Sequence, residues 1–391
     1  MKKRLLFIFM ALVTTSVTWA KWGDIFTADN LKYKVTSENP NLVTLMGYDR
    51  IQPSGDFKIP ATVNFNDANY TVTVIEDQAF KTCTSLTAVT IPSSIKSIGW
   101  SIFSGCSRIA SVTFAEGTQL KDINVWAFYG CSNLTSITIP ASVTSISQGA
   151  FQECTKLTSV YFANGSQLTS IGREAFMDCW KLAAITFPAS LTTIYANAFS
   201  GCDNLTSITI PANVTKIGET AFFGCNIKAF NVAAGNQYFK SVDGVLFDKD
   251  MTTLITYPLG NAATNYTIPD NVTTIIDNAF FACNTLATVT IPASVTNIGG
   301  KAFFRCNNLT DIFCYANPAS LTWGTGVYNF KPNKETLCHV TGDVAAWEQK
   351  FADINVTFVS DEQTFEPCDV NRDGVVDTQD VLEIYNYMQN H

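Results

Sequence analysis

Histidine is nearly absent: the 391 residues include two, His339 and His391. That leaves little material for a histidine-rich metal centre or a Ser-His-Asp relay, both of which depend on imidazole. A basic surplus is missing too, with 25 Lys and Arg against 33 Asp and Glu, a net charge of -8. Setting aside Lys2, Lys3 and Arg4 leaves 22 bases against 33 acids, or -11. Nucleic acid and anionic membrane surfaces need a basic face, so neither is an expected partner. Charge of either sign is sparse at 15%, while 12% of residues are aromatic, the composition of an ordered, tightly packed chain. After residue 20 no apolar run is long enough to span a bilayer.

The first twenty residues read as an export signal. Lys2-Lys3-Arg4 forms the positive end, Leu5 to Val13 the apolar centre, and Thr18-Trp19-Ala20 a small-residue cleavage site. No cysteine follows that site directly, so a lipid anchor there is not indicated. The expectation is an exported protein, secreted or held at the cell surface.

What the chain has in abundance is one repeated phrase. Phe-x-x-Cys occurs at Phe80, Phe103, Phe128, Phe151, Phe176, Phe199, Phe222, Phe280 and Phe303, in steps of 23, 25, 23, 25, 23, 23, 58 and 23 residues. Between successive pairs run Leu, two alternating Ile or Val, Pro, Val and Ile, as in Leu205, Ile208, Ile210, Pro211, Val214 and Ile217. A fixed period of this size means a solenoid whose coils bury their apolar residues against their neighbours. Ile137 and Ile139 alternate with polar residues as a half-buried strand does, and Pro140, lacking an N–H, ends that strand. Val143 to Ile146 gives a second short strand, and Ala150 to Cys154 a single helical turn. Longer coils replace the proline by Ala115–Leu120 and Ala163–Leu168, whose Gly and polar residues should bulge and leave the core in phase.

Twelve cysteines in an exported chain would ordinarily suggest disulfides. Nine occupy one repeat position, however, and stacked coils set equivalent side chains about 4.8 Å apart with parallel Cβ directions. A disulfide needs Cβ atoms at about 3.8 Å and facing each other. The reading is a column of buried thiols. Cys314 and Cys338 fall outside the column, and either pair with each other or belong to the core.

The organisation expected is a leader over 1–20, an N-terminal cap over 21–75, repeats over 76–313, a C-terminal cap over 314–362 and a tail over 363–391. Within the repeats, about 226–268 forms an insertion. There Ser241–Phe247 and Thr253–Tyr257 flank Asp248-Lys249-Asp250, which reads as a hairpin adding strands to the same sheet. A short helix is expected near Val344–Phe351. The fold class is a mainly β repeat solenoid, a right-handed coil of short strands and single helical turns capped at both ends.

The pattern Ala-Phe-x-x-Cys-x-x-Leu-x-x-Ile-x-Ile-Pro-x-x-Val-x-x-Ile-Gly resembles the BspA-like class of leucine-rich repeats, over roughly Lys21 to Val359 and including Val242–Phe247. The resemblance implies a single-chain solenoid used for adhesion or recognition on surface or secreted proteins, with no shared catalytic residues.

One other motif carries chemistry. Asp369, Asn371, Asp373, Asp377 and Asp380 place oxygen at positions 1, 3, 5, 9 and 12 of a loop, with Gly374 at 6 and the Val375 carbonyl at 7. Calcium takes six to eight such oxygens, so these six residues are its expected ligands. Val381, Leu382, Ile384, Tyr385 and Met388 follow at helical spacing. Asp380 stands where an EF-hand has Glu, and this resembles a dockerin repeat, which implies docking on a cohesin-like partner. Dockerins carry two such repeats and one is visible here.

The outward strand position reads Thr90, Thr113, Thr138, Tyr161, Thr186, Thr209, Thr290 and Phe313. It is either β-branched filler or a flat, weakly polar recognition face with Tyr161 and Phe313 as anchors. Tyr129, Phe223, Phe281 and Phe304 follow the buried Phe directly and form either an exposed patch or packing under neighbouring loops. Cys338 and His339 are adjacent, but strand neighbours point to opposite faces, which argues against a nucleophile pair. The function expected is non-catalytic binding of a protein or glycan through the solenoid face. The alternative is an assembly component docked by its calcium tail onto a polysaccharide-degrading or surface complex.

Overall fold

The computed structural model describes residues 20–324, 336–354 and 356–361. They fall into two compact units: residues up to 157 with 161–168, and residues 158–160 with those from 169 onward. Both are built from β-solenoid coils, and the one α-helix among the described residues is Val344–Lys350.

In the first unit the coils start from a cap. Strands Ile25–Ala28, Leu31–Glu38 and Asn41–Tyr48 form an antiparallel meander, and Asn41–Tyr48 pairs in parallel with Ala68–Ile75. Alternation sends Tyr33, Val35, Val43, Leu45, Tyr70 and Val72 into its core. Phe26 stacks on Phe65 with ring centroids 4.2 Å apart. From there pairing becomes parallel, coil on coil: Ala88, Val89, Thr90 and Ile91 lie opposite Ser111, Val112, Thr113 and Phe114. A second ladder sets Val74 and Ile75 against Ser97 and Ile98.

The arm carrying Phe-x-x-Cys, read from sequence as a helical turn, is a run of tighter turns. Cys83 N–H donates to the Phe80 carbonyl and Lys81 N–H to that of Gln78, both three residues back. Left-handed residues interrupt the run on each side of the Phe: Gln78 and Thr82 both have φ of 57°. This geometry turns backbone N–H groups along the stack. Gln78, Phe80 and Thr82 donate to the carbonyls of Trp100, Ile102 and Ser104 in the next coil, at 2.9, 3.0 and 2.7 Å. The close approach also explains Ile-Gly: a Cβ on Gly99 would stand 2.4 Å from the backbone nitrogen of Asp77.

Inside the coils the aromatic column is continuous from Phe80 through Phe103 and Phe128 to Phe151, with centroid spacings of 5.5, 5.7 and 5.4 Å. The thiols run beside it. Cys106 Sγ donates to the Phe80 carbonyl at 3.0 Å, Cys131 to Phe103 at 3.3 Å and Cys154 to Phe128 at 3.3 Å. Cysteine therefore recurs as a small buried side chain whose weak donor ties each coil to the previous one. Burial pushes the Cys83 thiol up to about 11 and Cys106 to about 12, so the column is protonated.

The second unit repeats this grammar. Phe176, Phe199 and Phe222 stack at 5.3 and 5.6 Å. The insertion holds two hairpins. Phe239–Val242 pairs with Val245–Asp248 through an Asp243-Gly244 turn in which both residues have positive φ, and Val245–Asp248 pairs with Thr253–Thr256. Thr253 and Leu254 then pair in parallel with Thr274 and Ile275, so the inserted strands do join the coil sheet. At the far end Asp311–Cys314, Leu337–Val340 and Thr357–Ser360 are parallel neighbours. The helix Val344–Lys350, begun by Asp343 accepting the Ala345 N–H, buries Trp347 against Phe351 and Phe358 and covers that end. Cys314 and Cys338 are both buried and free, lying on adjacent strands in diagonal register, since Cys338 faces Ile312 and Cys314 faces Val340.

Candidate functional site

Outward residues of the first strand ladder stand side by side on successive coils and form a continuous face in each unit. In the first unit Lys58, Thr90 and Thr113 stand in register, and Thr113, Thr138 and Tyr161 are exposed, Tyr161 by 57%. Coil length then gives this row relief. The longer coils bulge at Ala115-Glu116-Gly117 and again at Ala163-Asn164, while the coil between them ends its strand tightly at Pro140. Leu120 and Leu168 remain buried, so the extra residues leave the core in phase, as expected. The two bulges wall an open groove of about 630 Å³, with Thr113, Phe114 and Thr138 on its floor and Glu116, Ser142 and Asn164 around it. Its lining mixes threonines and other polar groups with apolar residues such as Phe114, Ala141 and Ala163, carries no charge apart from Glu116, and is built on strands, a rigid base for recognition.

In the second unit Thr186 and Thr209 are exposed, and Thr209 pairs with Asn231. Further along, Thr267, Thr290, Phe313, His339 and Val359 stand in register across successive parallel strands. His339 Nε2 lies 2.8 Å from Asp311 Oδ1, and the imidazole stacks on Phe313 with centroids 4.5 Å apart. Partial burial raises the Asp311 carboxyl, but the hydrogen bonds from His339 and the Thr310 hydroxyl and the His339 charge outweigh it, leaving the group below the usual carboxylate range. Cys338 points the other way, into the core. Lys58, Asn231, Thr267, His339 and Val359 also belong to the face: the coils of Lys58, Thr267, His339 and Val359 lack the Phe-x-x-Cys marker that phases the template, and Asn231 stands nine residues after Phe222 where Thr209 stands ten after Phe199.

The turn-face aromatics are half-buried and cluster in the second unit. Phe223 and Phe281 meet at 3.8 Å and Phe281 and Phe304 at 5.5 Å, with the Arg305 guanidinium 5.4 Å from the Phe304 ring. Tyr129 instead hydrogen-bonds Glu153. Other aromatics stand exposed, including Trp180 by 52% and Tyr195 by 44%, the latter beneath Lys216. The calcium ligands Asp369, Asn371, Asp373, Val375, Asp377 and Asp380 lie outside the described residues. Among the described residues no group of three or more His, Cys, Asp or Glu is placed to hold a metal, and no helix is long and apolar enough to cross a membrane.

Comparison with known proteins agrees with this geometry. The model of the BspA type leucine rich repeat region matches residues 60–166, 121–242 and 259–329, in six copies. A leucine rich cell surface protein of Faecalibacterium prausnitzii is similar in structure, with TM-score 0.68 and 28% identity over 87% of this chain and 96% of that one. A leucine-rich repeat protein of Bacteroides ovatus gives TM-score 0.58 and 27% identity over 76% of each chain. The pneumococcal vaccine antigen PcpA, at 23% identity and TM-score 0.57 over 88% of this chain and 100% of that one, shares the fold. Among curated proteins none matches.

Proposed function

This chain belongs to the BspA-type leucine-rich-repeat family, and from that premise we propose that it is an exported, non-catalytic binding protein recognising a protein or glycan through its outward strand face. The groove walled by the two bulges carries the reading: it exposes a row of threonines on a rigid floor and is the wide, shallow shape that many weak contacts suit. The leader-like pattern over 1–20 and the cell-surface character of the Faecalibacterium relative support export. The test is retention of the pure protein on arrays of immobilised polysaccharides and extracellular proteins, beside a Thr113→Arg, Thr138→Arg variant that fills the groove. At least a tenfold loss of retention in the variant is expected. Equal retention would overturn the assignment to this face.

A second reading rests on the spacing of Asp369 to Asp380: the tail binds calcium and docks the solenoid onto a larger complex through a cohesin-like partner. Calorimetric titration should show one calcium site, lost in an Asp369→Ala, Asp373→Ala double variant. Identical titrations of the two proteins would refute it. Removing residues 368–391 separates the readings, since it should abolish docking and leave groove binding intact.

A further inference from the structure

The 58-residue step contains a coil whose turn arm is too short. In regular coils of the second unit three N–H groups of this arm donate to the next coil: Asn197 to Glu219, Phe199 to Ala221 and Gly201 to Phe223. The same triplet recurs from Asn278, Phe280 and Ala282 to Gly300, Ala302 and Phe304. Tyr257 holds the column position of the intervening coil, because its N–H donates to the Ala279 carbonyl at 2.7 Å and its ring stacks on Phe280 at 5.3 Å. It follows Leu254 by three residues, however, where Phe222 follows Ile217 by five. Pro258 comes next, at the place where the Ser200 N–H of a regular arm donates to the Asn197 carbonyl, and it has no N–H to close that turn.

The consequence is a break in the turn ladder. The N–H groups of Thr220, Phe222 and Gly224, equivalents of the donors at 197, 199 and 201, have no protein acceptor among the described residues. Across the break, the Asp277 carbonyl receives no donor from the preceding coil. A cavity of about 100 Å³ occupies this place, lined by Thr220, Phe222, Gly224, Tyr257, Asp277 and Phe281. Tyr257 is 3% exposed and its hydroxyl has no hydrogen-bond partner. Phe223 also lines the cavity, and its contact with Phe281 bridges turn arms that an intervening regular arm would separate.

We infer that this break is a binding site for a secondary amide of acetamido size, such as an N-acetylated sugar or an N-acetylated amino acid presents. The three N–H groups call for a carbonyl oxygen, the Asp277 carbonyl for an N–H, and the paired Phe rings for a methyl group. These are the functions a missing stretch of backbone would have supplied, as the triplets at Asn197, Phe199 and Gly201 and at Asn278, Phe280 and Ala282 show in the regular coils. An anion is disfavoured, since Glu219 and Asp277 bring carboxylates to the lining. Size also limits the occupant: a water needs roughly 10–15 Å³ of such space, so a cavity of about 100 Å³ has room for a group of several heavy atoms such as an acetamido and not for a whole sugar ring with its substituents. The site is separate from the groove in the first unit and does not depend on the function proposed for it.

The test reads the donors directly, by amide-resolved NMR of the full chain titrated with three probes. These are the methyl glycoside of N-acetylglucosamine, N-acetylalanine N-methylamide and methyl glucoside. Saturable shifts at Thr220, Phe222 and Gly224 are expected with an acetamido probe and not with methyl glucoside, and whichever acetamido probe binds identifies the source. Thr256→Trp, which fills the cavity from its lining, should abolish the shifts. Hydrogen exchange of the unmodified protein gives a second reading: these three amides should exchange at least tenfold faster than Asn197, Phe199 and Gly201. Shifts absent with both acetamido probes, shifts equal with the glucoside, or exchange as slow as the paired donors would each overturn the inference.

Discussion

Removing one ring from the aromatic column tests whether the coils are held as rigidly as their ladders imply. Phe128 is fully buried and sits between Phe103 at 5.7 Å and Phe151 at 5.4 Å, both rings nearly parallel to it. Phe128→Ala would delete both ring contacts and leave a void. Collapse into that void is opposed because Phe128 N–H is fixed to the Ala150 carbonyl at 2.8 Å and Phe103 N–H to the Ala127 carbonyl at 2.9 Å. A site that cannot relax carries the full cost of the cavity, about 3–5 kcal/mol for a buried Phe, and two lost ring pairs at about 0.5–1.5 kcal/mol each favour the upper end. Urea unfolding followed by circular dichroism, with Thr138→Ala as an exposed control expected within about 0.5 kcal/mol of the parent, measures the difference. Nearest-neighbour coupling further predicts that faster hydrogen exchange is confined to the mutated coil and those on either side. A Phe128→Ala cost below about 1 kcal/mol would refute the rigid stack, because only a coil free to close over the void could absorb the loss so cheaply.

The thiol column yields a second expectation. With Cys83 raised to about 11, Cys106 to about 12, and Cys131 and Cys154 held well above the ordinary thiol value by burial, iodoacetamide at pH 8 should leave them unlabelled in the folded protein and label them all in urea. Labelling of the folded protein within minutes would contradict the buried column. The Asp311–His339 pair gives a pH dependence. A carboxylate held below its ordinary value of about 3.9 contributes stability that is present above that pH and lost as pH falls through the lower folded value. Asp311→Asn should therefore flatten the acid limb of the melting curve below about pH 4, and unchanged acid limbs in parent and variant would remove the pair from the account. The groove-filling variant and the calcium double variant described above complete the set.

How far the sequence reaches into this structure depends on whether a residue's surroundings repeat with it. Phe128 and Cys131 meet the same partners as Phe103 and Cys106, so period alone places them, and the same argument places Thr113 and Thr138 on the outer face. Left-handed backbone at Gln78, Ser101 and Glu174 escapes that logic. None of these side chains favours positive φ, and the conformation is imposed by hydrogen bonds to the next coil and not by the residue itself. His339 escapes it for a different reason: its place on the face comes from strand pairing at the C-terminal end, after the marker motif has ceased. The groove is legible in part, because the 25-residue steps announce bulges, but two bulges become walls only when coils are stacked with a short coil between them. The break at Tyr257 lies furthest from view. In one dimension it looks like a hairpin inserted into an array, and the two missing residues of the turn arm show only as the N–H groups of Thr220, Phe222 and Gly224 left facing no coil. Periodicity reports what every coil shares, so the places where this solenoid can act differently from its own template are those where the period fails.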